Sequence, residues 1–389
     1  MYSYIVEGND LHIDFRLTMA SPVDAATVTT SSRSDPIPLV DEILDCQFSR
    51  WYKTFRSLPR DLYRRRSVTV KSIILPLPPL FRDYVMSDGV RLPAGDALVS
   101  SHVPPKNDDD SWAEEDDIDE RHEFSFPGLT EQIQSAIDSL GGTVMPKLNW
   151  SCPKDATWIN CGSLKCSTPG DVYILLKSSD FVMHDFLYAF DNSVGEKPTS
   201  ISYELVLRQW CNFNPSMEFR CFVWNGDVVA ISQRNHTQHF PHLMTEMNRC
   251  RSQVLDFYED YVYENFPGSG NFVFDVYIDK QDRVWLLDFN VWGKQTDPLL
   301  FSWDELSSIA SLESEEQDDS SLENRRPVIR VVETANQIHQ DPLASYRAPI
   351  DAVDLASMSG FDATAFHEFM AKCKKPSEEI DDAPDLGDS

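Results

Sequence analysis

The chain has 389 residues, 41% of them hydrophobic and 11% aromatic, which is enough for a substantial core and excludes a wholly disordered protein. Its formal charge is −29, from 34 basic against 63 acidic residues. That balance weighs against a general nucleic-acid binder, which needs Lys and Arg to displace counterions, and against docking on an anionic membrane. A basic protein surface, or a polyanion held together with a metal ion, suits such a chain better.

In chain order, residues 1–38 form an extension poor in pattern. From Leu39 the signal sharpens, and 39–103 read as the first part of a lobe. "VDEILDCQFSRWYKTF" places apolar residues at helical spacing, and "VTVKSIILPLP" (68–78) is a strand run ended by prolines. An acidic linker follows (104–124), carrying "NDDDSWAEEDDIDERHE". Residues 125–202 complete the first lobe. There "LTEQIQSAIDSLGG" (129–142) predicts an amphipathic helix stopped by its glycine pair, whereas "TVMPKL" and "DVYILLKSSDF" (171–181) predict strands.

The second lobe spans 203–306. Its predicted strands are "SYELVLRQW", "EFRCFVWNGDVVAISQR" and "FVFDVYIDKQDRVWLLDFN", with a helix over 245–266. Asn225-Gly226 marks one hairpin and Asp279–Asp282 another. An acidic linker (307–340), a segment packing on the core or a partner (341–372) and an acidic tail (373–389) end the chain. The acidic runs read as solvated segments. Helices joining antiparallel hairpins define an α+β fold class.

Eight cysteines occur without a paired framework. With no leader and no long apolar run in the sequence, a reduced, cytoplasmic setting is expected. Cys152, Cys161, Cys166 and His184 are too irregularly spaced for a zinc site. There is no P-loop, no G-x-G-x-x-G and no ordering of Ser, His and Asp that favours nucleophilic catalysis.

The chemistry concentrates in the hairpins. In "RVWLLDFNVWG" (283–293) Asp288 and Asn290 interrupt a strand that otherwise reads as buried on both faces. A carboxylate there has to be paired, hydrogen-bonded or bound to a metal. A loop of two or four residues centred on Lys280-Gln281 sets Asp275 opposite Leu286 and Val273 opposite Asp288. Asp275, Asp288 and Asn290 then share one face, an all-oxygen set suited to Mg²⁺ and hence to a nucleotide. A three-residue loop would turn Asp275 to the opposite face.

In the first hairpin Arg220 faces Ile231, on the face of Glu218, Phe222 and Gln233, as a cation fit for phosphate. Arg234 has the opposite parity. Lys147 and Lys177 are two further cations on apolar runs. A plainer reading stands beside this one: structural ion pairs of Asp275 or Asp288 with Arg283 or Arg220, and lysines that merely flank strands.

At these residues the sequence resembles the cell division cycle protein 123 family. The resemblance rests on "LDCQFSRWYKTF", "MPKLNWSCPKDATWI", "SLKC", "LLKSSDF", "YELVLRQW", "EFRCFV", "ISQR", "FVFDVY", "VWLLDFNVWG…TDPLLFSWDEL" and "SYRAPIDAVDL", most of the chain. "SLPRDLYRR" (57–65) interrupts the family's usual passage. The resemblance implies an ATP-grasp-like fold, two α+β lobes with ATP and Mg²⁺ between antiparallel sheets. It implies phosphate contacts from Lys147, Lys165, Lys177, Arg220 and Arg234, and an adenine edge meeting Glu204, Leu205 and Val206. Asp275, Asp288 and Asn290 would hold the metal. It further implies an assembly chaperone that binds the gamma subunit of eukaryotic translation initiation factor 2. An ATP-grasp ligase forming an acyl-phosphate is the alternative.

Overall fold

In the computed structural model of the protein, the described residues are 36–58, 67–89, 92–93, 124–315, 326–338 and 343. The acidic runs at 107–123 and 377–389, most of the interruption at 57–65, and all of 341–372 except residue 343 lie outside them.

Two sheets organise these residues. The smaller is antiparallel, in the order β1-β3-β2, built from β1 (Ser72–Pro76), β2 (Val144–Lys147) and β3 (Glu204–Gln209). The larger has the order β7-β6-β4-β5-β8, with β4 (Glu218–Trp224), β5 (Asp227–Gln233), β6 (Phe272–Ile278), β7 (Val284–Val291) and β8 (Val328–Arg330). Only β8 is parallel to its neighbour. Residues 68–70 join the sheets: the Leu286 amide donates to the Val68 carbonyl (2.8 Å), and Thr69 Oγ1 donates to the Leu286 carbonyl (3.0 Å).

Each sheet has its own core. On one face of the large sheet, α1 (Val40–Asp45), α2 (Phe48–Ser57) and α7 (Leu243–Phe257) bury Phe48, Trp51, Phe55 and Val254 against Phe274 and Phe289. Over part of its other face, α8 (Trp303–Glu315) sets Trp303 and Leu306 against Phe222, Ala230 and Val273. The small sheet buries Leu205 and Leu207 under α3 (Leu80–Met86), α4 (Pro127–Ser139), α5 (Pro169–Lys177) and α6 (Asp180–Leu187). The predicted helix over 245–266 is observed as α7, continued by a π-helical turn at Tyr258–Val262. The stretch 307–340 contains the end of α8 and the strand β8.

One predicted strand is a helix. "DVYILLK" forms α5, whose side chains are buried almost all round. Full burial removes the polar face that distinguishes a helix from a strand in sequence. The capping signal was nonetheless present: Thr168 Oγ1 accepts the Asp171 amide (3.2 Å), Asp171 Oδ2 accepts the Thr168 amide (3.0 Å), and Pro169 opens the first turn.

The hairpin registers also differ from expectation. Asn225 and Gly226 both adopt positive φ (50° and 86°), as a two-residue turn of this kind requires. Val229 is then bulged out, so Arg220 pairs with Ser232 rather than Ile231. The shift moves Gln233 off the face of Arg220 and places Arg234 on it, with the Arg234 amide donating to the Glu218 carbonyl. In the second hairpin the Asp279 amide donates to the Arg283 carbonyl, which leaves a three-residue loop with Asp282 left-handed (φ 61°). Such a loop alone would have turned Asp275 away. A second bulge, at Leu287, corrects the phase, and Asp275 lies directly opposite Asp288 and Val273 opposite Asn290.

Candidate functional site: a cationic cleft between the sheets

The uncovered part of the large sheet faces the small sheet across a cleft of about 720 Å³. Three backbone segments close it. The strands contribute Met145, Lys147 and Arg208 from the small sheet, and Glu218, Asp275 and Asp288 from the large one. The segment from Cys152 to Leu164, which includes a short 3₁₀ helix (Lys154–Ile159), forms a second wall, and the connector from Arg208 to Pro215 a third. Five basic side chains (Lys147, Lys154, Arg208, Arg234, Lys280) and three acidic ones (Glu218, Asp275, Asp288) border the space. A local excess of positive charge inside a chain of net charge −29 is a focused field for an anion.

The charges are arrayed across the two sheets. Lys147 Nζ, fully buried, donates to Asp288 Oδ2 at 2.8 Å and to the Trp150 carbonyl. Arg220 grips Asp275 with two bonds, Nε to Oδ1 and Nη2 to Oδ2, both 2.8 Å, and donates through Nη1 to the Asp297 carbonyl (2.8 Å). Arg234 Nε lies 3.1 Å from Asp275 Oδ2. Burial pushes the Asp275 carboxyl up, but the charges of Arg220 and Arg234 outweigh it and hold it far below the usual carboxylate range. For Glu218 burial prevails, and its carboxyl is raised despite Arg234 and Lys154. The neighbouring Arg234 charge and burial together bring the Lys154 ammonium down to about 8.

Of the three predicted metal ligands, Asp288 and Asn290 keep groups free for a hard divalent ion, whereas both oxygens of Asp275 are held by arginines in the structural ion pair that the plainer reading expects. Asp288 keeps one buried oxygen, Oδ1, with no hydrogen-bond partner, and on the same face Asn290 Nδ2 is likewise buried and unpartnered. A half-turn of that carboxamide exchanges its nitrogen for its oxygen. Asp275 sits directly across from Asp288, and cross-strand partners bring their Cβ atoms within about 5.5 Å. An all-oxygen donor set of two carboxylates and one amide is magnesium-like in chemistry, and such a site completes its shell with water and phosphate.

Other predicted site residues lie elsewhere. Lys177 ends helix α5 instead of a strand and donates to the carbonyls of Tyr84 and Ser87, where it ties down the C-terminus of α3. It does not border the cleft. Lys165 is exposed beside the loop wall, and its carbonyl accepts from Asn160 Nδ2 (3.0 Å). Leu205 and Val206 are buried in the cores on either side of β3, and Glu204 accepts from Gln47 Nε2. The cleft is bordered after these three by the connector that follows, where Phe213 packs on Tyr277 with ring centroids 4.4 Å apart. Sequence reasoning missed Lys154 and Arg208. Lys154 opens a 3₁₀ helix (Lys154–Ile159) too short to show an apolar periodicity. Arg208 lies near the end of the predicted strand "SYELVLRQW" and is buried; its Nε has no hydrogen-bond partner, and its guanidinium lies 5.6 Å from the Phe48 ring centre. Burial raises the Cys152 and Cys211 thiols, so neither supplies a thiolate at neutral pH.

Fold and cleft together define a two-sheet α+β protein with a cation-rich cleft between its sheets. The chain belongs to the D123 family, whose model matches residues 51–356. It is 38% identical over 352 residues to "Translation initiation factor eIF2 assembly protein" of Xenopus tropicalis, covering 88% of this chain and 99% of that one. It is 43% identical over 279 residues to "Cell division cycle protein 123" of Phaeosphaeria nodorum (68% and 71% covered). Among solved structures it resembles Cdc123 from Schizosaccharomyces pombe, with a TM-score of 0.58 and 35% identity over 76% of this chain and 98% of that one. The α+β fold expected from the sequence and the resemblance to the cell division cycle protein 123 family both hold. Among the described residues no helix is long and apolar enough to cross a membrane.

Proposed function

We propose that this protein is a cytoplasmic assembly factor for eukaryotic translation initiation factor 2 that binds ATP with Mg²⁺ in the cleft and engages the gamma subunit of its client. The observation that carries the assembly role is the match to a relative so named along 99% of that relative's length. The nucleotide reading is supported by the crowding of Lys147, Lys154, Arg208 and Arg234 around two carboxylates, a pattern that suits a triphosphate and its metal.

In this reading Asp288 and Asn290 would hold the metal, with Asp275, fixed by its arginines, completing the set from the facing strand; the metal would neutralise charge on the triphosphate. Lys147, Lys154 and Arg234 contact phosphate oxygens, while Arg220 orients Asp275 from behind. The connector Gln209–Asn214 offers backbone groups to a base, with Phe213 and Tyr277 as apolar backing. The family resemblance implies a fold of the ATP-grasp kind, in which a nucleotide lies between two sheets. A ligand touching both sheets stabilises the arrangement that holds them together, and so the form that meets the partner, by population shift without turnover. The acidic chain complements a basic partner and speeds encounter.

Two measurements test this. Calorimetry should show one Mg-ATP per chain, with binding abolished by EDTA. The purified chain should retain the isolated gamma subunit at low salt, more strongly with Mg-ATP than without. No retention in either condition would overturn the assembly role. ADP or AMP release that depends on a carboxylate acceptor would favour the ligase instead.

A further inference from the structure

Asp275 is pinned by two arginines, and each leads to the same distant element by its own route. Arg234 follows Gln233, a fully buried carboxamide. Gln233 Nε2 donates to the carbonyls of Asn235 and Gln238 (2.8 Å for the second), and Gln233 Oε1 accepts the Val332 amide at 3.0 Å. One side chain therefore fixes the turn that carries Arg234 out of β5 and fastens it to the segment Val328–Val332. Arg220 reaches that segment through another chain of contacts. Its Nη1 holds the Asp297 carbonyl, and three residues on the Leu300 carbonyl accepts from Arg330 Nη1 (3.0 Å). The Leu300 amide in turn donates to Ser232 Oγ (3.3 Å), and Ser232 is the strand partner of Arg330.

The strap itself is lightly held. Three residue pairs join β8 to β5. At the half-exposed end, Arg330 stacks 4.3 Å over the Phe301 ring and pairs with Glu305 at 3.1 Å. Val331 and Val332, by contrast, are buried.

We propose that Gln233 is a positioning residue for the cleft and that the seating of Val328–Val332 sets the geometry of both arginines on Asp275. On the reading of the cleft as a Mg-ATP site, strap and nucleotide are then coupled. Each favours the other, because linkage between two sites is reciprocal. A partner that lifts or clamps the strap thereby changes nucleotide affinity without touching the cleft.

The test uses the full-length chain and its Gln233→Met and Arg330→Ala variants. Mg-ATP affinity is measured by calorimetry, and amide hydrogen exchange at Val332 is followed with and without Mg-ATP. Gln233→Met should weaken Mg-ATP about tenfold and Arg330→Ala about fivefold, within the range common for coupled sites. Saturating Mg-ATP should slow exchange at Val332 in the unaltered chain, a response that a merely structural glutamine would not produce. Wild-type affinity in either folded variant, or unchanged exchange at Val332, overturns the proposal. Should Gln233→Met fail to fold, Arg330→Ala and the exchange measurement decide. Absence of Mg-ATP binding in the unaltered chain overturns the nucleotide reading as well, whereas unaltered affinity in folded variants overturns the coupling alone.

Discussion

The two sheets that border the cleft handle charge in opposite ways. The large sheet pairs Asp275 within itself: Arg220 from the adjacent strand β4 and Arg234 from just beyond the end of β5 both close on it. The small sheet sends Lys147 across the gap, to Asp288 at 2.8 Å. An ion pair inside one sheet forms whenever that sheet forms, so it belongs to folding. A pair that spans two sheets can be exchanged for a ligand's charges, so it belongs to binding. The same residue type thus serves different ends according to which backbone supports its partner.

Substitutions can break this contrast. Asp275→Ala should have the largest effect on folding. It leaves two arginines, one fully buried, without a counter-charge, a loss of about 3–5 kcal/mol measurable by urea unfolding. Asp288→Ala should instead act on binding, weakening Mg-ATP by about a hundredfold, as truncation of a charged binding partner commonly does. Its unfolding midpoint should fall less than that of Asp275→Ala, because Lys147 keeps the Trp150 carbonyl. Equal loss of stability in the two variants would erase the distinction.

Lys177→Met sharpens the contrast from outside the cleft. Lys147 and Lys177 both end apolar runs and both are buried. Lys177, however, holds backbone carbonyls at the end of α3, so its loss should cost about 1–3 kcal/mol of stability. Mg-ATP affinity should stay unchanged, and a drop would return Lys177 to the binding site.

The smallest expected effect is on pH dependence. Lys154 titrates near 8, below its ordinary value, because Arg234 and burial disfavour its charge. A lysine with a lowered folded value binds fewer protons when folded, so it gives up stability below about pH 8 and regains it as the pH rises toward its unfolded value. Phosphate binding runs the other way, since it uses the charged form. Mg-ATP affinity should therefore decline a few-fold as the pH passes about 8, with proton uptake on binding, and Lys154→Met should flatten that profile. An unchanged slope in that variant would remove Lys154 from the phosphate contacts.

Much of this was legible in the sequence. Polar residues on strands that are otherwise buried must find partners, because burial makes an unpaired carboxylate untenable; that signal singled out Asp275, Asp288, Arg220 and Lys147, which the fold brings together as ion pairs. Composition told less at Lys177, where an all-round apolar run hid a helix. It told nothing at Lys154, which opens a 3₁₀ helix too short to carry a pattern. Glu204, Leu205 and Val206 were placed by the resemblance alone, and the cleft wall begins only after them, at Arg208.

By itself the sequence determined the strand and turn repertoire, the hairpin tips and the chemical types that meet in the cleft, since these depend on local propensity and on the cost of burying charge. Tertiary structure alone decided which way those residues face. Strand alternation has a period of two, so one extra residue reverses every side chain beyond it. Here the three-residue loop and the bulge at Leu287 cancel, and the bulge at Val229 brings Arg234 round to Asp275. A bulge is fixed by packing against both neighbouring strands and the helices over them, which no single stretch of sequence encodes.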